Sequence, residues 1–392
     1  MAAMNTVRVN KKGADRVRNG HLWIYRSDLV EVQAAGGSVV SVKDERGNFI
    51  GQALYSDASQ IALRFLTQSH DEIDRAWWQR RIREAARRRH IPPDTNAYRL
   101  VYSEGDLLPS LIVDAYDDVL VMQTLSQGTD ALKSLLAEVL IEEFNPRAVI
   151  ERNDVRVREL EGLPLISATV YGNAPAELEI LQHGMHFHVE PLGGQKTGSF
   201  LDQRENRLAA RAAAASTNKQ RALDCFTFNG AFALHLAGVC ENLLGIDISA
   251  DAVAAARSNA ALNDLDNVEF REANVFDALR ELEAAGERFD VIVLDPPAFA
   301  KNRASLPAAA RGYKEINLRA LKMLDAGGTL VTCTCSYHMT ERLFLELITE
   351  AAADARRRVQ IVERRTQGRD HPVLLGVPET LYLKCVVARV VE

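Results

Sequence analysis

From residue 221 onwards, short apolar runs alternate with longer helical patterns, and this alternation constrains the fold more than any other feature of the sequence. The strand-like runs are residues 222–226, 243–248, 268–275, 289–295, 328–335, 359–365 and 381–391. The helical patterns between them are residues 231–238, 250–263, 276–285 and 306–324. Alternation of this kind is typical of a parallel sheet that is covered by helices. We therefore predict an α/β domain with a mostly parallel, seven-stranded sheet.

The residues before this alternation form two regions of different character. Residues 1–67 consist mainly of short strand-like runs with a turn at Gly47, which is typical of a small β-barrel. Residues 99–190 combine strand-like runs with one helical stretch at 129–144, which indicates an α+β domain. A chain of 392 residues has the length of two or three domains. We predict three, at 1–73, 74–190 and 191–392.

The net charge of the chain is -6, but the charge is unevenly distributed. Residues 1–100 carry 17 Lys and Arg against 11 Asp and Glu, whereas the remainder carries 30 against 42. A basic front (residues 1–100) joined to an acidic remainder suggests a binding module that is attached to a domain of another kind. Residues 71–91 add a helical pattern rich in arginine. We favour a solvated basic face for this helix, and contact with RNA phosphates is the alternative.

Several classes of protein are excluded by composition. No run of about 18 apolar residues is present, so no membrane span is predicted. The first residues lack the apolar core of a signal peptide, so we expect a cytoplasmic protein. Five cysteines in 392 residues are too few for a disulfide scaffold. The cysteines and histidines also lack the spacing of zinc ligands, so no metal site is predicted.

The ends of the first three parallel strands carry residues suited to a nucleoside ligand, because ligands of such sheets bind at the carboxyl ends of the strands. The first strand ends at Asp224, in a turn with the single glycine Gly230, which does not match the G-x-G-x-x-G dinucleotide pattern. Asp247 follows at the distance expected of a ribose-binding acid. Asn274, at the end of the third strand, is placed to form hydrogen bonds with the edge of an adenine through its amide or its backbone. This set describes S-adenosylmethionine better than NAD, although each polar residue alone is as well explained as a helix cap.

The next two strand ends carry residues suited to chemistry on a base. Asp295 precedes two prolines, which stop the strand and fix a rigid loop. Cys333 and Cys335 share one face of the following strand. A cysteine in a strand is usually a small buried apolar residue, and we assign Cys333 to that class. Cys335 lies at the strand end, where a nucleophile is the better interpretation.

These motifs together resemble the class I S-adenosylmethionine-dependent methyltransferases that make 5-methylcytosine in bacterial 23S rRNA. The likeness covers essentially the whole chain. It rests on five blocks, namely Gly20-x-x-Trp23-Ile-Tyr25, residues 99–114, the long block Gly194–Arg207, Asp295-Pro-Pro-x-Phe299-Ala-Lys301 and Thr334-Cys335-Ser336. The resemblance implies an N-terminal PUA-like domain, a central α+β domain and a C-terminal Rossmann-like methyltransferase domain.

The resemblance also implies roles for particular residues. Cys335 is expected to be the nucleophile, and Asp295 to contact the target base. The residues expected to hold S-adenosylmethionine are Gln203, Arg204, Asp224, Phe226, Asn229, Gly230, Asp247, Ile248, Asn274, Val275 and Asp295. The expected partner is 23S rRNA or a precursor of the large ribosomal subunit, and a homodimer is left open. The basic residues expected to contact RNA are Arg8, Lys11, Lys12, Arg16, Arg80, Arg87 and Arg88.

Two departures from the family pattern and two alternative functions remain. Ser199 stands where an aromatic residue is expected, and Tyr337-His338 stands where many relatives have small residues. The first alternative is a methyltransferase that modifies a ring nitrogen of guanine, although Ala298 separates Phe299 from the two prolines. The second is an RNA-binding assembly factor without catalysis. The sequence leaves open which nucleotide is modified and whether the substrate is naked RNA or an assembled subunit.

Overall fold

A computed structural model describes residues 5–194, 197–216, 221–300 and 302–391. The chain divides into two compact units. The first comprises Met1–Ile180, Val189–Leu201 and Arg369–Thr380, and the second comprises Leu181–His188, Asp202–Gly368 and Leu381–Glu392. Gln195 and Lys196 of the long linker block, and Lys301 after the two prolines, lie outside the described residues.

The first unit begins with a six-stranded sheet in the order β2-β6-β5-β4-β1-β3. Asn10 caps a helix in this region by accepting a hydrogen bond from the backbone N–H of Gly13. This helix was not predicted from the sequence, because it is short and mostly polar. The elements are β1 (Thr6–Val9), α1 (Lys11–Arg18), β2 (Trp23–Tyr25), β3 (Leu29–Gln33), β4 (Val39–Lys43), β5 (Phe49–Tyr55) and β6 (Ile61–Thr67).

A five-stranded sheet in the order β11-β10-β9-β8-β7 completes the first unit. A helix that precedes this sheet in the chain carries the buried side chains of Trp77, Trp78 and Ile82, which pack into the same hydrophobic core as the sheet. The predicted helix at 129–144 is divided into two at Leu132. The elements are α2 (Arg75–Arg87), β7 (Ala97–Tyr102), β8 (Leu111–Tyr116), β9 (Val119–Thr124), α3 (Gln127–Ala131), α4 (Lys133–Phe144), β10 (Ala148–Asn153) and β11 (Ile166–Gly172).

The second unit is built on a seven-stranded sheet in the order β16-β15-β14-β17-β18-β20-β19. Only the pairs that involve β20 are antiparallel, so the predicted mostly parallel sheet is confirmed. Earlier in the chain, β12 (Leu178–Gln182) and β13 (Met185–Val189) form a separate two-stranded sheet. The strands of the seven-stranded sheet are β14 (Arg221–Cys225), β15 (Asn242–Asp247), β16 (Val268–Glu272), β17 (Phe289–Leu294), β18 (Leu324–Thr334), β19 (Val359–Arg365) and β20 (Lys384–Val390). The helices are α5 (Arg204–Ala214), α6 (Ala231–Ala237), α7 (Ala250–Leu262), α8 (Val275–Ala284), α9 (Leu306–Met323) and α10 (Glu341–Asp354).

The parallel strands direct four loops to one edge of this sheet. β14 lies between β15 and β17, and β17 pairs in parallel with β18. The chain therefore leaves all four strands at the same carboxyl edge, where the candidate residues of the sequence analysis are found. The predicted strand at 268–275 ends early, at Glu272, because Asn274 already caps α8. No helix of the described residues is long and apolar enough to cross a membrane.

Two glycine substitutions test how closely this sheet and its helices are packed. A Cβ atom at Gly245 in β15 would lie 2.6 Å from the buried Phe270 ring, whereas one at Gly312 in α9 would have ordinary contacts from 3.4 Å outwards. We expect Gly245→Ala to lower the free energy of unfolding by about 1–3 kcal/mol. Gly312→Ala, the matched control, should raise it by about 0.5–1 kcal/mol through helix propensity. Urea denaturation measures both, and equal effects would contradict this description of the packing.

Candidate active site

The turn after β14 has a strained backbone. Phe226 and Phe228 both have left-handed conformations, with φ of 63° and 50°, and Gly230 follows at 83°. Bulky residues adopt such angles only where the surroundings enforce them, at a cost of about 1–3 kcal/mol each, and such residues cluster at ligand sites. The backbone N–H of Phe228 donates to Asp247 Oδ2 at 3.0 Å. Asp247, at the end of β15, therefore stabilises the turn that follows β14.

Asp224 lies buried beneath this turn and is 1% exposed. Its Oδ2 accepts hydrogen bonds from Thr227 Oγ1 at 2.6 Å and from the backbone N–H of Ala233 at 3.0 Å. Its Oδ1 is buried without a hydrogen-bond partner among the described residues. Burial raises the pKa of the Asp224 carboxyl to about 7, and the negative charges of Asp295 and Asp247 add to the rise. A cationic ligand group beside Oδ1 would satisfy both the hydrogen bond and the charge.

Asp247 is the last residue of the second strand, β15, and Ile248 directly follows it. The two carboxylate oxygens of Asp247 accept backbone hydrogen bonds, one from Phe228 and the other from Ser249 at 3.0 Å. Each oxygen keeps a further lone pair, and the residue is only half-buried, so it can still accept bonds from a diol. The side chain of Ile248 is 66% exposed, which offers an apolar surface beside that acid.

Asn274 and Val275 form the start of α8. The side-chain oxygen of Asn274 accepts a hydrogen bond from the backbone N–H of Phe276 at 2.9 Å, and Val275 is buried. The capping interpretation of Asn274 is therefore correct for its oxygen. Its amide N–H groups are not needed for the cap, so they remain available to form hydrogen bonds with the edge of a base.

Asn229 is buried in the strained turn after β14, and its backbone carbonyl accepts a hydrogen bond from Asn259 Nδ2 at 2.9 Å.

Gln203 connects the start of α5 to the loop with two prolines. Its Nε2 donates to Asp295 Oδ1 at 2.8 Å, and its Oε1 accepts from Asn206 Nδ2 at 2.7 Å. The second bond orients the amide so that its N–H groups point at the carboxylate. Asp295 is half-buried at the end of β17. It is therefore a fixed carboxylate at the edge of the sheet.

Two buried arginines accompany these carboxylates. Arg204 and Arg207 are both almost completely buried. Burial lowers the pKa of the Arg207 guanidinium to about 10, while the negative charges of Asp202 and Asp295 oppose that shift. Arg207 also donates to Gln182 Oε1 at 2.5 Å. The site thus combines buried charges of both signs, which is the usual composition of a polar ligand site.

Cys335 directly follows β18, and it differs from the other cysteines in exposure. It is half-buried, whereas Cys225, Cys240, Cys333 and Cys385 are buried. Cys333 lies opposite Cys385 in the β18–β20 pair, and that contact together with burial raises the pKa of its thiol well above the usual value. The interpretation of Cys333 as a buried small residue therefore agrees with the structure.

The loop with two prolines is hydrogen-bonded to Ser336, the residue after Cys335. The backbone N–H of Ala300 donates to Ser336 Oγ at 3.1 Å, and Ser336 Oγ also lies 3.0 Å from the hydroxyl of Tyr313. Thr334 Oγ1 donates to the same hydroxyl at 2.8 Å. The two strand ends that carry Asp295 and Cys335 are therefore joined through the Ser336 hydroxyl, which Tyr313 of α9 also contacts.

Two residues of this region were missed by the sequence analysis. Tyr313 is one aromatic residue within a long helical pattern, and no local signal distinguishes it from core. Lys384 opens the apolar strand β20, and a lysine in a buried strand is a signal that could have been noticed. Ser199, one of the two departures, lies in the first unit, where its backbone N–H donates to the Tyr116 hydroxyl at 3.1 Å.

The basic residues that were predicted to contact RNA lie in the first unit, and several already have acidic partners. Lys12 and Arg16 both pair with Asp28, and Arg8 pairs with Glu31 at 3.4 Å. Arg88 lies within 3.9 Å of Glu84 and 3.8 Å of Asp106. Within the described ranges, three of the predicted residues are exposed and form no ion pair, namely Lys11, Arg80 and Arg87.

Comparison with known families and structures defines the class of protein. The PUA-like domain model matches residues 7–68, and a methyltransferase domain model matches residues 216–374. The crystal structure of SMU.776 complexed with SAH has a TM-score of 0.85 at 20% identity and covers 98% of this chain and 100% of that chain. Trm5b from Pyrococcus abyssi has a TM-score of 0.53 at 17% identity and covers 71% of this chain and 75% of its own. At these identities the likeness shows the fold alone, which is that of a methyltransferase.

Curated relatives define the family. Ribosomal RNA large subunit methyltransferase I of Tolumonas auensis is 39% identical over 397 residues, which cover 98% of this chain and 99% of the relative. The protein of the same name from Escherichia coli (strain SMS-3-5 / SECEC) is 40% identical over 380 residues, which cover 94% of this chain and 95% of the relative. The chain belongs to the ribosomal RNA large subunit methyltransferase I family. The predicted PUA-like and methyltransferase domains and the S-adenosylmethionine cofactor are confirmed.

The residues at the carboxyl edge fit this cofactor. The buried Asp224 Oδ1 lacks a partner in the described part of the chain and suits the ammonium of the methionine portion. Asp247 suits the ribose diol, and Ile248, Asn274 and Val275 suit the adenine. When bound, S-adenosylmethionine supplies an electrophilic methyl group on a sulfonium.

The raised pKa of Asp224 has a consequence for stability. Because the unfolded carboxyl titrates near 3.8, the folded protein keeps a proton between about pH 4 and pH 7 that the unfolded chain has lost. Stability without cofactor should therefore fall as the pH rises across this window. Asp224→Asn should gain stability relative to wild type over the same window, and the difference should be constant above it. Urea denaturation at about pH 5 and about pH 8 measures this, and a pH-independent difference would contradict it.

The same substitution tests cofactor binding. Asp224→Asn removes the negative charge beside the proposed ammonium, so the affinity for S-adenosylhomocysteine should fall about tenfold or more. Asp325→Asn is a suitable control, because Asp325 is exposed and belongs to β18 far from its carboxyl end. Calorimetric titration gives both affinities. Equal affinities of wild type and Asp224→Asn would remove Asp224 from the binding site.

Proposed function

We propose that the protein transfers a methyl group from S-adenosylmethionine to C5 of a cytosine in 23S rRNA, with Cys335 as the covalent nucleophile. The observation that carries the proposal is the half-buried Cys335 at the carboxyl edge, joined through Ser336 and Ala300 to the loop of Asp295. The printed names of the relatives support ribosomal RNA of the large subunit as the substrate.

The proposed chemistry requires a thiolate because C5 of cytosine is a poor nucleophile. The Cys335 sulfur bonds to C6, and the electron pair of the C5–C6 double bond makes C5 enamine-like, with charge developing at N3. C5 would then bond to the methyl carbon as the bond between that carbon and the sulfonium sulfur breaks, which leaves S-adenosylhomocysteine. Loss of the C5 proton to a base restores the C5–C6 double bond and expels the thiolate. The net products are the methylated base, S-adenosylhomocysteine and one proton.

Asp295 is the candidate for stabilising the charge that develops on the base. Its carboxyl, when protonated, can donate to N3, and when ionised it can accept from the exocyclic amine. The Gln203 amide donates to Oδ1 at 2.8 Å and so fixes the orientation of the carboxyl group. Gln203 would then act as a positioning residue.

A covalent adduct is the direct test of the nucleophile. Wild type should form a denaturation-resistant complex with RNA that contains 5-fluorocytosine, because fluorine at C5 cannot leave as a proton. Cys335→Ser should form no complex and should lose methylation by several orders of magnitude. Cys240→Ala, which alters a buried cysteine, should behave as wild type. Denaturing electrophoresis and methyl-incorporation assays provide the readouts, and a Cys335→Ser enzyme as fast as wild type would refute the assignment.

The first alternative is methylation of a guanine ring nitrogen. Enzymes of that kind often stack the base on an aromatic residue directly after the prolines. Here Ala298 intervenes, and the ring of Phe299 packs 4.7 Å from that of Tyr313 and 5.8 Å from that of Phe276. That packing favours a role for Phe299 in the core. Mass analysis of nucleosides from treated RNA separates the two products.

The second alternative is an RNA-binding assembly factor without catalysis. The buried charges around Asp224 and Arg207 argue against it, because such groups are costly to keep in a site without a ligand. Failure of the protein to bind S-adenosylhomocysteine in calorimetry would favour this alternative. The domain bounds 1–73, 74–190 and 191–392, the homodimer and the cytoplasmic location remain predictions.

We further propose that the exposed basic side chains Lys11, Arg80 and Arg87 contact RNA phosphates. Basic residues that lack ion pairs can neutralise phosphates without first breaking a contact in the protein. Each phosphate contact contributes about 0.7–0.9 to the slope of log affinity against log salt. The paired basic residues would first have to break an ion pair with a carboxylate before they could bind a phosphate; these residues are Arg8, Lys12, Arg16 and Arg88.

Two double variants of α2 test this proposal with equal changes of charge. Arg80→Gln with Arg87→Gln should weaken RNA binding and lower the salt slope by about 1.4–1.8. Arg75→Gln with Arg83→Gln is the matched control, because those arginines pair with Glu138, Glu142 and Glu143. Filter binding at several salt concentrations gives the slopes. Equal slopes for the two variants would contradict the assignment.

A further inference from the structure

Lys384 is a buried cation whose role the proposed mechanism leaves open. It is the first residue of β20, opposite Thr334 at the end of β18, and is only 8% exposed. Its Nζ donates to the carbonyl oxygen of Ser336 at 3.2 Å and to that of Tyr382 at 3.1 Å. It forms no ion pair with a carboxylate of the described residues. A third N–H remains on the ammonium, next to the chain segment that carries Cys335.

A buried ammonium without an anion is costly, because carbonyl dipoles replace only part of its hydration. Burial lowers the pKa of Lys384, and negative charge on Cys335 and on Glu341 opposes the shift. Glu341, at the start of α10, lies 3.8 Å from Arg364 and is partly compensated by it. A negative charge on Cys335 is then the second one that could balance Lys384.

Three other titratable groups near Cys335, all among the described residues, do not supply a positive charge as Lys384 does. The Tyr313 hydroxyl is neutral, since burial raises its pKa, and it is occupied by Thr334 and Ser336. Asp295 is a carboxyl group, and a negative charge on it would disfavour a thiolate. His338 is three residues away along the chain, and its ring packs on Tyr337.

We propose that Lys384 is the positioning residue that holds Cys335 as a thiolate, with its side chain anchored by the carbonyl groups of Ser336 and Tyr382. The thiol proton leaves to solvent, and the ammonium keeps its own. The inference rests on the proposed function for the catalytic use of this thiolate. A free cysteine is only a few per cent ionised at pH 7, so such stabilisation raises the fraction of reactive enzyme.

Alkylation tests the inference without RNA or cofactor. Because the other four cysteines are buried, iodoacetamide should modify Cys335 first, and Cys335→Ser gives the background rate. Wild type should show a rate profile with its midpoint below the usual value of about 8.5. Lys384→Met should move the midpoint to higher pH, and alkylation at pH values below the midpoint should slow by about tenfold for each unit by which the midpoint rises. Lys384→Arg should retain most of the wild-type profile.

The matched control is Lys322→Met, which removes an ammonium that pairs with Glu283 on the surface of the same unit. Its profile should equal that of wild type. An identical profile for wild type and Lys384→Met would overturn the inference. If Lys384→Met fails to fold, the wild-type profile alone decides, because a midpoint at or above about 8.5 excludes a stabilised thiolate.

Methylation assays separate this inference from the proposed function. Lys384→Met should lower kcat more at neutral than at alkaline pH, with KM for RNA unchanged. If Cys335→Ser methylates normally while Lys384→Met shifts the alkylation profile, then the nucleophile assignment fails and the effect of Lys384 on the thiol stands. If Cys335→Ser is inactive and the profile is unshifted, then the nucleophile stands and Lys384 is only structural.

Discussion

The parallel pairing of β14 with both β15 and β17 is the constraint on which the site depends. Parallel strands leave a sheet at one edge, so residues far apart in sequence meet without any long-range motif. Asp224, Asp247 and Asp295 lie at the carboxyl ends of three neighbouring strands, and Cys335 directly follows the next. The antiparallel strand β20 then returns Lys384 to the same edge. A fold with these strands in another order would separate the groups.

The cost of this arrangement is buried charge. Asp224, Arg204, Arg207 and Lys384 are largely withdrawn from water, and apolar residues of similar size would often give a more stable fold. The strained turn at Phe226 and Phe228 adds to that cost. Both features are located at the carboxyl edge of one sheet. Stability and ligand binding therefore compete there, as they do at many active sites.

In the first unit, ion pairs reduce the basic charge that is available to a partner. The sequence indicates a basic front, but Arg75 and Arg83 are bound to glutamates of α4, and Lys12 and Arg16 share Asp28. The favoured interpretation of α2 as an amphipathic helix with a solvated face agrees with these contacts. Charge counts overestimate a binding surface because they ignore pairing between elements that are distant in sequence. Only the folded structure distinguishes Arg80 and Arg87, which are unpaired among the described residues, from the paired Arg75 and Arg83 of the same helix.

Apolar periodicity and strand-end chemistry were sufficient to predict the seven-stranded sheet, the helices α6 to α9 and the position of Asp224, Asp247, Asp295 and Cys335. The helix α10 (Glu341–Asp354) was not predicted, although its buried residues recur at helical spacing. Those features are local, since each depends on a strand and the few residues that follow it. The helix at Lys11–Arg18 and the break at Leu132 were missed, because polar caps and packing outweigh periodicity over one or two turns. Only the tertiary structure decided which charges are paired, which oxygen of Asp224 lacks a partner in the described residues, and that Lys384 approaches Ser336. Such facts depend on distances between strands and helices that are far apart in sequence, which no local pattern encodes.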